Sequence, residues 1–379
     1  MSNIVIESPE EVKLKKQLEK RTDADAKRML RFLNMPDLSR TKGSPIYEMV
    51  QRFLALPDFH DFDTIQVPEI VPTDVSFDLF DFPIDHPVRS KSDTYYVNAT
   101  NILRTHTTVM WFYHMRNEGV KKRMAAGRPV GAFCFGKVYR KDEIDRHHMN
   151  VFHQIDGWFL APKAQRVIGT QDLKQVETDI AKAVFGENVK CRFNLDTFPY
   201  TDPSLELEVE KAGKWIEVLG SGVVKATVLE KLGVDSSKWN GWAFGFGLER
   251  LAIASMDLPD IRLLWSQDPR VVKQLKLRQK FQEVSKFPPI TRDISFIVDK
   301  GFEPNIYFDL IRDIGGDLVE EVRLLDKYEN EEKFGKDQLS YTYRVVYRSI
   351  ERTLKTEEIE PLQNKLIEET KKQFNAEIR

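Results

Sequence analysis

The chain has 379 residues, with 57 Lys and Arg against 59 Asp and Glu and a formal net charge of −2. That length favours two or three domains over one core, because single cores stop growing near roughly 250–300 residues. No apolar run approaches the roughly 20 residues of a membrane helix, and the near-zero balance removes whole-protein attraction to nucleic acid while leaving local patches open. The only cysteines, Cys134 and Cys191, form no CxxC pair. Structural zinc and a disulfide framework are therefore not expected, and two lone thiols fit a reducing compartment.

The N-terminal stretch MSNIVIESPEEVKLKKQLEK carries Glu7, Glu10 and Glu11. It lacks the apolar centre of a secretory signal and the acid-poor character of a transit peptide, so the chain reads as cytoplasmic or as a mature form. Residues 9–34 are highly charged, with Leu14, Leu18, Met29, Leu30 and Leu33 as a weak apolar stripe, and read as a helical extension over residues 1–42, either a plain surface helix, the favoured reading, or an amphipathic appendage lying on the body or on a partner. Ser44-Pro45 is an N-cap followed by proline at the first helical position, opening a helix to about Leu56. Residues 62–100, punctuated by Pro68, Pro72, Pro83 and Pro87, suggest short strands and turns. Residues 104–126 read as helix.

GAFCFGKVYR and VFHQIDGWFLA then form two strands joined by the charged loop KDEIDRHHMN. Loops of that length are usually functional. A helix follows at about 169–185. WIEVLGSGVV is a strand, and GWAFGFGLERLAIA is a strand running into a helix. The charged stretch ending in FPP is a linker over 270–286. It separates a main domain at 43–269 from a C-terminal domain at 287–379. The last domain has the order β-α-β-β-α-β, the ferredoxin-like unit, with AEIR as its final short strand. The fold class is α+β.

Arg140 ends an apolar strand where it meets the charged loop, a rigid placement suited to gripping a phosphate bidentately. Asp142, Asp145, His147 and His148 follow closely. On the returning strand, alternation puts Phe152, Gln154 and Asp156 on one face and His153 and Ile155 on the other. A Gln and an Asp sharing a face with an aromatic suit a small zwitterion, although solvated hairpin charges would give the same pattern. FGFGLERLAI adds two glycines that let backbone approach a ligand. It is not G-x-G-x-x-G and has no P-loop lysine.

Taken together, these segments resemble the class II aminoacyl-tRNA synthetases. GKVYRKDEIDRHHMNVFHQIDG looks like their motif 2, GWAFGFGLERLAI like motif 3, and VPEI, with Pro68, like the end of motif 1. HPVRSKSDTYYV, LRTHTT and FPYTDPSLELEV narrow the resemblance to phenylalanine–tRNA ligases, and IEVLGSGVV and LPDIRLLWSQD fit their single-chain, organelle-type members. FPPITRDISFIV and YRSIERTL resemble that family's anticodon-binding module. The resemblance covers roughly residues 45–379. It implies a seven-stranded antiparallel catalytic sheet flanked by helices, with ATP and Mg²⁺ used to activate L-phenylalanine for transfer to tRNA(Phe).

Carried over by motif, the resemblance implies that Arg140 grips the α-phosphate and the substrate carboxylate. Arg250 would hold the ATP tail, Phe152 would stack on adenine, and Asp142, His147, His148 and Met149 would belong to the ATP side of the loop. Glu217 would help hold ATP or its metal. Around phenylalanine it implies His106, Thr108, Gln154 and Asp156 at the polar head, Phe198 and Tyr200 edge-on to the ring, and Ala243 and Phe244 as the floor. Two positions depart from the pattern: Trp111 stands where many relatives have Gln, and Tyr200 where many have Phe.

A hydrophobic pocket rejects an added hydroxyl by only about 10²-fold, and no stretch here is long enough for an editing domain, so editing of tyrosyl-tRNA in cis is not expected. Residues 286–379 hold 16 Lys and Arg against 20 Asp and Glu. Any RNA face there must be local, and Tyr341, Tyr343 and Tyr347, alternating on one strand, are either base-stacking residues or core. The expected state is a monomer, although motif 1 serves dimerisation in most class II enzymes, and the mitochondrial matrix is the alternative location. A tRNA-independent adenylating enzyme and an inactive paralogue are the competing readings. The anticodon-like tail argues against the first, and Arg140, Gln154, Glu217 and Arg250 against the second.

Overall fold

A computed structural model describes residues 2–283 and 287–379. The expected linker includes residues 284–286, which lie outside the described residues. The chain divides into two units: residues 1–140, 151–258 and 275–280 in the first, and 141–150, 259–274 and 281–379 in the second.

The first unit runs through β1 (Asn3–Val5), α1 (Pro9–Lys20), α2 (Ala24–Asn34), α3 (Pro45–Leu54), β2 (Asp63–Gln66), β3 (Ile70–Pro72), β4 (Asn101–Leu103), α4 (Met110–Arg116), α5 (Glu118–Ala125), β5 (Val130–Tyr139) and β6 (Val151–Pro162). It continues with α6 (Thr170–Phe185), β7 (Cys191–Phe198), β8 (Thr201–Lys211), β9 (Lys214–Val224), α7 (Ala226–Lys231), β10 (Trp239–Gly247) and α8 (Leu248–Met256). One sheet has the order β1-β2-β5-β6-β10-β9-β8-β7. Pairing is antiparallel from β5 to β7, whereas β1 and β2 join in parallel. The eighth strand, beyond the seven expected, is β1. Three residues give too short an alternation to read in advance. β3 and β4 pair as a separate small hairpin.

Local chemistry sets the elements. β5 is buried at every position, as a central strand covered on both faces should be. Ser44 caps α3 by accepting from the Ile46 N–H at 3.1 Å, with Pro45 in the first turn, as the sequence indicates. The helix expected over 104–126 is broken instead. Asn117 is extended, and its side chain accepts from the N–H groups of Gly119 and Val120, so α5 starts afresh. The N-terminal helices are also more than an extension. Leu14, Leu18, Ala26, Met29 and Phe32 are buried in one cluster with Ile70, Tyr95, Leu103, Tyr139 and Val151. The weak stripe is thus an inner face, widened by Ala26 and Phe32.

The second unit contains α9 (Pro269–Val272), β11 (Ile290–Asp299), α10 (Pro304–Gly315), β12 (Val319–Tyr328), α11 (Glu331–Phe334), β13 (Gln338–Tyr347), α12 (Thr356–Phe374) and β14 (Glu377–Ile378). Apart from the short α9 and α11 this is the expected β-α-β-β-α-β series, with strand order β12-β13-β11-β14. Tyr341, Tyr343 and Tyr347 are buried with Phe296, Tyr307, Ile359 and Leu366. Their alternation therefore marks the face covered by α10 and α12, not a base-stacking face. The opposite face carries the Asp293–Arg344 ion pair at 2.7 Å and the Ser295–Thr342 hydrogen bond at 2.9 Å. The loop of residues 141–150 belongs to this unit. Ile144 is buried in its core, its carbonyl accepts from the Val322 N–H at 2.9 Å, and Arg146 pairs with buried Glu320.

Candidate active site

In the first unit the central strands converge on a cavity of about 190 Å³. Its lining includes Thr108, Trp111, Arg140, Gln154, Asp156, Phe198, Tyr200, Glu217, Ala243 and Phe244. Drug-sized ligands usually occupy roughly 300–1,000 Å³, so this space suits a single amino acid. Arg140, just after β5, and Gly245, on β10, line the same cavity although 105 positions apart, because β6 lies between β5 and β10, with Gln154 opposite Gly247 and Asp156 opposite Gly245.

Asp156 is the charged floor of the polar end. The Thr107 and Thr108 hydroxyls both donate to it, Thr108 at 2.9 Å. Burial nevertheless dominates and pushes its carboxyl up to about 6, against the pull of those hydroxyls and of Arg140 and Arg104. Among the described residues the Gln154 side-chain oxygen is buried without a donor. An acceptor in that state costs about 1–3 kcal/mol, which a ligand ammonium would relieve. The Nε of Arg140 donates to the Thr105 carbonyl at 3.0 Å, and its guanidinium lies 5.3 Å from the Phe152 ring centre. Phe152 is not part of the cavity wall but supports the arginine at its edge.

At the apolar end, the Phe198 and Tyr200 rings lie 6.1 Å apart and 19° from parallel. Gly220 is required here, since a Cβ on it would meet the Phe198 ring at 2.7 Å. A Cβ on Gly245 would lie 2.3 Å from an Asp156 carboxylate oxygen. Glu217 is half-exposed and pairs with Arg250 at 3.2 Å. Beside Glu217, Glu206 is pushed up to about 7 by its own burial and by that neighbouring carboxylate. Among the described residues, no group of three or more His, Cys, Asp or Glu side chains is arranged to hold a metal ion unaided.

His106 does not line the cavity. It is buried against Phe80 and lies 3.1 Å from the Ser76 carbonyl, and burial lowers its pKa to about 3, so it is a neutral residue packed outside the cavity. Asp142, His147, His148 and Met149 lie on the loop that belongs to the second unit, where Asp145 accepts from the backbone N–H groups of His147 and His148.

Thr107, Gly220 and Ser221 join the site without having been singled out in sequence, whereas Gly245 is one of the two glycines of FGFGLERLAI expected to approach a ligand. The glycines of LGSG and FGFG were the available signal. Glu249 was also passed over. It accepts from the His153 backbone N–H and lies 2.6 Å from His153 Nδ1, while His153 Nε2 accepts from the Leu38 N–H at 2.8 Å. That imidazole ties β6 to α8 directly beneath the cavity face.

Residues 33–275 match the class II core domain (F) of tRNA synthetases, and residues 285–379 match the ferredoxin-fold anticodon binding domain. The chain is 39% identical to the chloroplastic/mitochondrial phenylalanine–tRNA ligase of Arabidopsis thaliana, over 82% of this chain and 71% of that one. It is 37% identical to the mitochondrial phenylalanine–tRNA ligase of Mus musculus, over 80% and 72%. With the mitochondrial enzyme of Saccharomyces cerevisiae the identity is 32%, over 82% and 81%.

Proposed function

The chain belongs to the phenylalanine–tRNA ligases of class II, and from that membership we propose how its own residues carry out the two steps of the ligase reaction. The observation that carries the assignment is the cavity itself. An acidic, hydrogen-bonded end at Asp156 and Gln154 is joined to an aromatic end at Phe198 and Tyr200, with Arg140 on its wall. This is complementary to a zwitterion bearing a flat apolar side chain.

In the first step the phenylalanine carboxylate attacks the α-phosphorus of ATP, a new oxygen–phosphorus bond forms, and pyrophosphate leaves with the electrons of the broken bond. Asp156 and Gln154 hold the ammonium, so the carboxylate is presented toward Arg140, which neutralises charge developing on the α-phosphate. Arg250 would hold the nucleotide's triphosphate, and Glu217, with Glu206 as a second nearby carboxylate, would hold the Mg²⁺ that accompanies it; the ion would offset the negative charge of the departing pyrophosphate. Phe152 offers a face to adenine, and by motif Asp142, His147, His148 and Met149 are assigned to ATP. In the second step a terminal ribose hydroxyl of tRNA(Phe) attacks the acyl carbon and AMP departs. Phe244 and Ala243 bound the ring end, where a larger residue at position 243 would shorten the space.

The C-terminal unit is the proposed reader of the anticodon. Its tyrosines are core, so recognition is assigned to the uncovered sheet face with Arg323 and Arg344, which are opposed in register on β12 and β13. The chain acts as a monomer, without editing in cis. The mitochondrial names of its relatives favour an organelle over the bacterial cytoplasm. No described helix is long and apolar enough to cross a membrane.

The test is aminoacylation by the purified chain alone, offered ATP, Mg²⁺, tRNA and each of the twenty amino acids in turn. Charging confined to phenylalanine supports the reading. Pyrophosphate exchange without charging would transfer the function to another acceptor, and rapid deacylation of preformed Tyr-tRNA would overturn the absence of editing.

A further inference from the structure

Behind the amino-acid cavity a line of polar groups runs through an otherwise apolar layer. Trp158 follows Asp156 by two residues on β6, so both side chains project from one face of the sheet. Facing them is the segment that begins with the turn at Thr107 and continues through α4. Thr107, Thr108, Trp111 and His114 recur at helical spacing and share one side of that segment. The two threonines hold Asp156. The Trp111 ring stacks on the Trp158 ring with centroids 4.9 Å apart and planes 10° from parallel. Trp158 Nε1–H donates to His114 Nδ1 at 3.2 Å. The other ring nitrogen of His114 lies 3.2 Å from Asp63, which also pairs with Arg123 and accepts from the Ser2 N–H at 3.1 Å.

We propose that Trp158, His114 and Asp63 are positioning residues for phenylalanine, locking α4 and its leading turn against β6 so that Asp156 and Trp111 meet the amino acid in fixed places. The proposal rests on the assignment of the cavity to phenylalanine. Trp111, Trp158, His114 and Asp63 are all 0% exposed. Their surroundings, Ile65, Met110, Val130 and Leu160, are apolar. Apolar packing is non-directional and would let the segment slide along the strand. A tryptophan N–H aimed at one imidazole nitrogen allows only one register. Because Trp158 donates, His114 Nδ1 must be bare and the proton must sit on Nε2, where it is shared with Asp63. Burial lowers the His114 pKa, which agrees with this neutral tautomer.

What the lock presents is the departure from the family pattern, Trp111. Its ring lines the cavity, and its Nε1–H is buried without an acceptor among the described residues. The donor is left for the substrate head group or for a water that bridges to it, in place of the side-chain amide that many relatives place there. Trp111 would thus set affinity for the amino acid, and the relay behind it would act through Trp111 and Asp156 alone.

The experiment is pyrophosphate exchange by the full chain with Trp158→Phe, His114→Ala and His114→Gln, measuring KM for phenylalanine, KM for ATP and kcat, with thermal midpoints alongside. Trp158→Phe keeps the ring and removes the N–H donor. Its expected result is a rise of about tenfold in KM for phenylalanine, the scale of one hydrogen bond, with KM for ATP and kcat little changed. His114→Ala should show the same split. His114→Gln, which can accept from Trp158 and donate to Asp63, should restore much of the affinity. Unchanged KM for phenylalanine in folded Trp158→Phe would overturn the proposal, and so would KM for both substrates rising together, the mark of a structural role. If His114→Ala does not fold, Trp158→Phe decides alone. Loss of all exchange in the unmodified chain would instead strike at the cavity's assignment.

Discussion

Two aromatic assemblies in this molecule look alike in sequence and differ in purpose. Phe198, Tyr200 and Trp111 in the first unit surround a space, while Tyr341, Tyr343 and Tyr347 in the second fill one. Both include aromatic residues at alternate or helical spacing. What separates them is the covering. In the second unit α10 and α12 close the tyrosine face, and Tyr347 is satisfied by Gln363 at 3.2 Å. In the first unit the rings meet glycine backbone at Gly220 and a polar end at Asp156. Spacing announces that a face is aromatic. Only the neighbouring elements decide whether that face is core or site.

The comparison can be sharpened by substitution. Arg140→Ala should lower pyrophosphate exchange by about 10³-fold, the upper range for removing one charge-stabilising donor, while the thermal midpoint of each unit stays in place. A comparable loss of stability would show that the cavity wall is a core after all. In the second unit, Tyr343→Ala should cost about 3–5 kcal/mol, as large-to-small changes at buried aromatics do. It should abolish tRNA charging while leaving pyrophosphate exchange intact. If exchange falls with it, the two assemblies are not separable in function.

A subtler distinction is electrostatic. Burial pushes the Asp156 carboxyl up to about 6, and only its ionised form attracts an ammonium. Acidification below that value should therefore raise KM for phenylalanine by up to about tenfold per pH unit, with a plateau above pH 7. Asp156→Asn should flatten the profile at a high KM. His106, lowered by burial to about 3, would contribute nothing in that range. A flat wild-type profile would remove Asp156 from recognition.

The smallest effect is expected at Glu177 on α6, fully buried next to Ser221 and pushed up to about 8 by burial. A carboxyl whose folded-state pKa is raised stabilises fully only below its unfolded value and loses that contribution as pH rises toward 8. Glu177→Gln should therefore leave the midpoint similar near pH 5 and raise it relative to wild type at pH 8. A parallel pair of curves would mean that the carboxyl is not neutral in the folded chain.

Much of this architecture was legible. The strand–loop–strand around Arg140, the glycine-rich strand leading to Arg250 and the β-α-β-β-α-β tail are all written in local periodicity. So were most cavity residues, through their motifs. What escaped were links across the chain. Thr107 meets Asp156 over 49 positions, and Glu249 meets His153 over 96. Neither pairing leaves a periodic trace. The N-terminal helices were left open between a surface helix and one lying on the body for a related reason: a sparse apolar stripe is the same whether it faces solvent or Tyr139, and only the sheet's placement settles which. His106 shows the converse, a motif residue whose position in LRTHTT is plain although its side chain turns away from the cavity toward Ser76.

The imidazole of His153 has a consequence for how the protein is made. Its two nitrogens and its backbone N–H are satisfied by Leu38 and Glu249, one contributed early in the chain and the other late. A ribosome adding about 5–20 residues per second needs roughly 10–40 s to travel between those two positions. In the later part of that interval, once β5 and β6 have been made, the nascent chain has the central hairpin of the site but not the carboxylate that fastens it. The amino-acid pocket is thus completed near the end of synthesis of its own unit, and a premature stop before Glu249 would yield a fragment with the central hairpin present and its fastening absent.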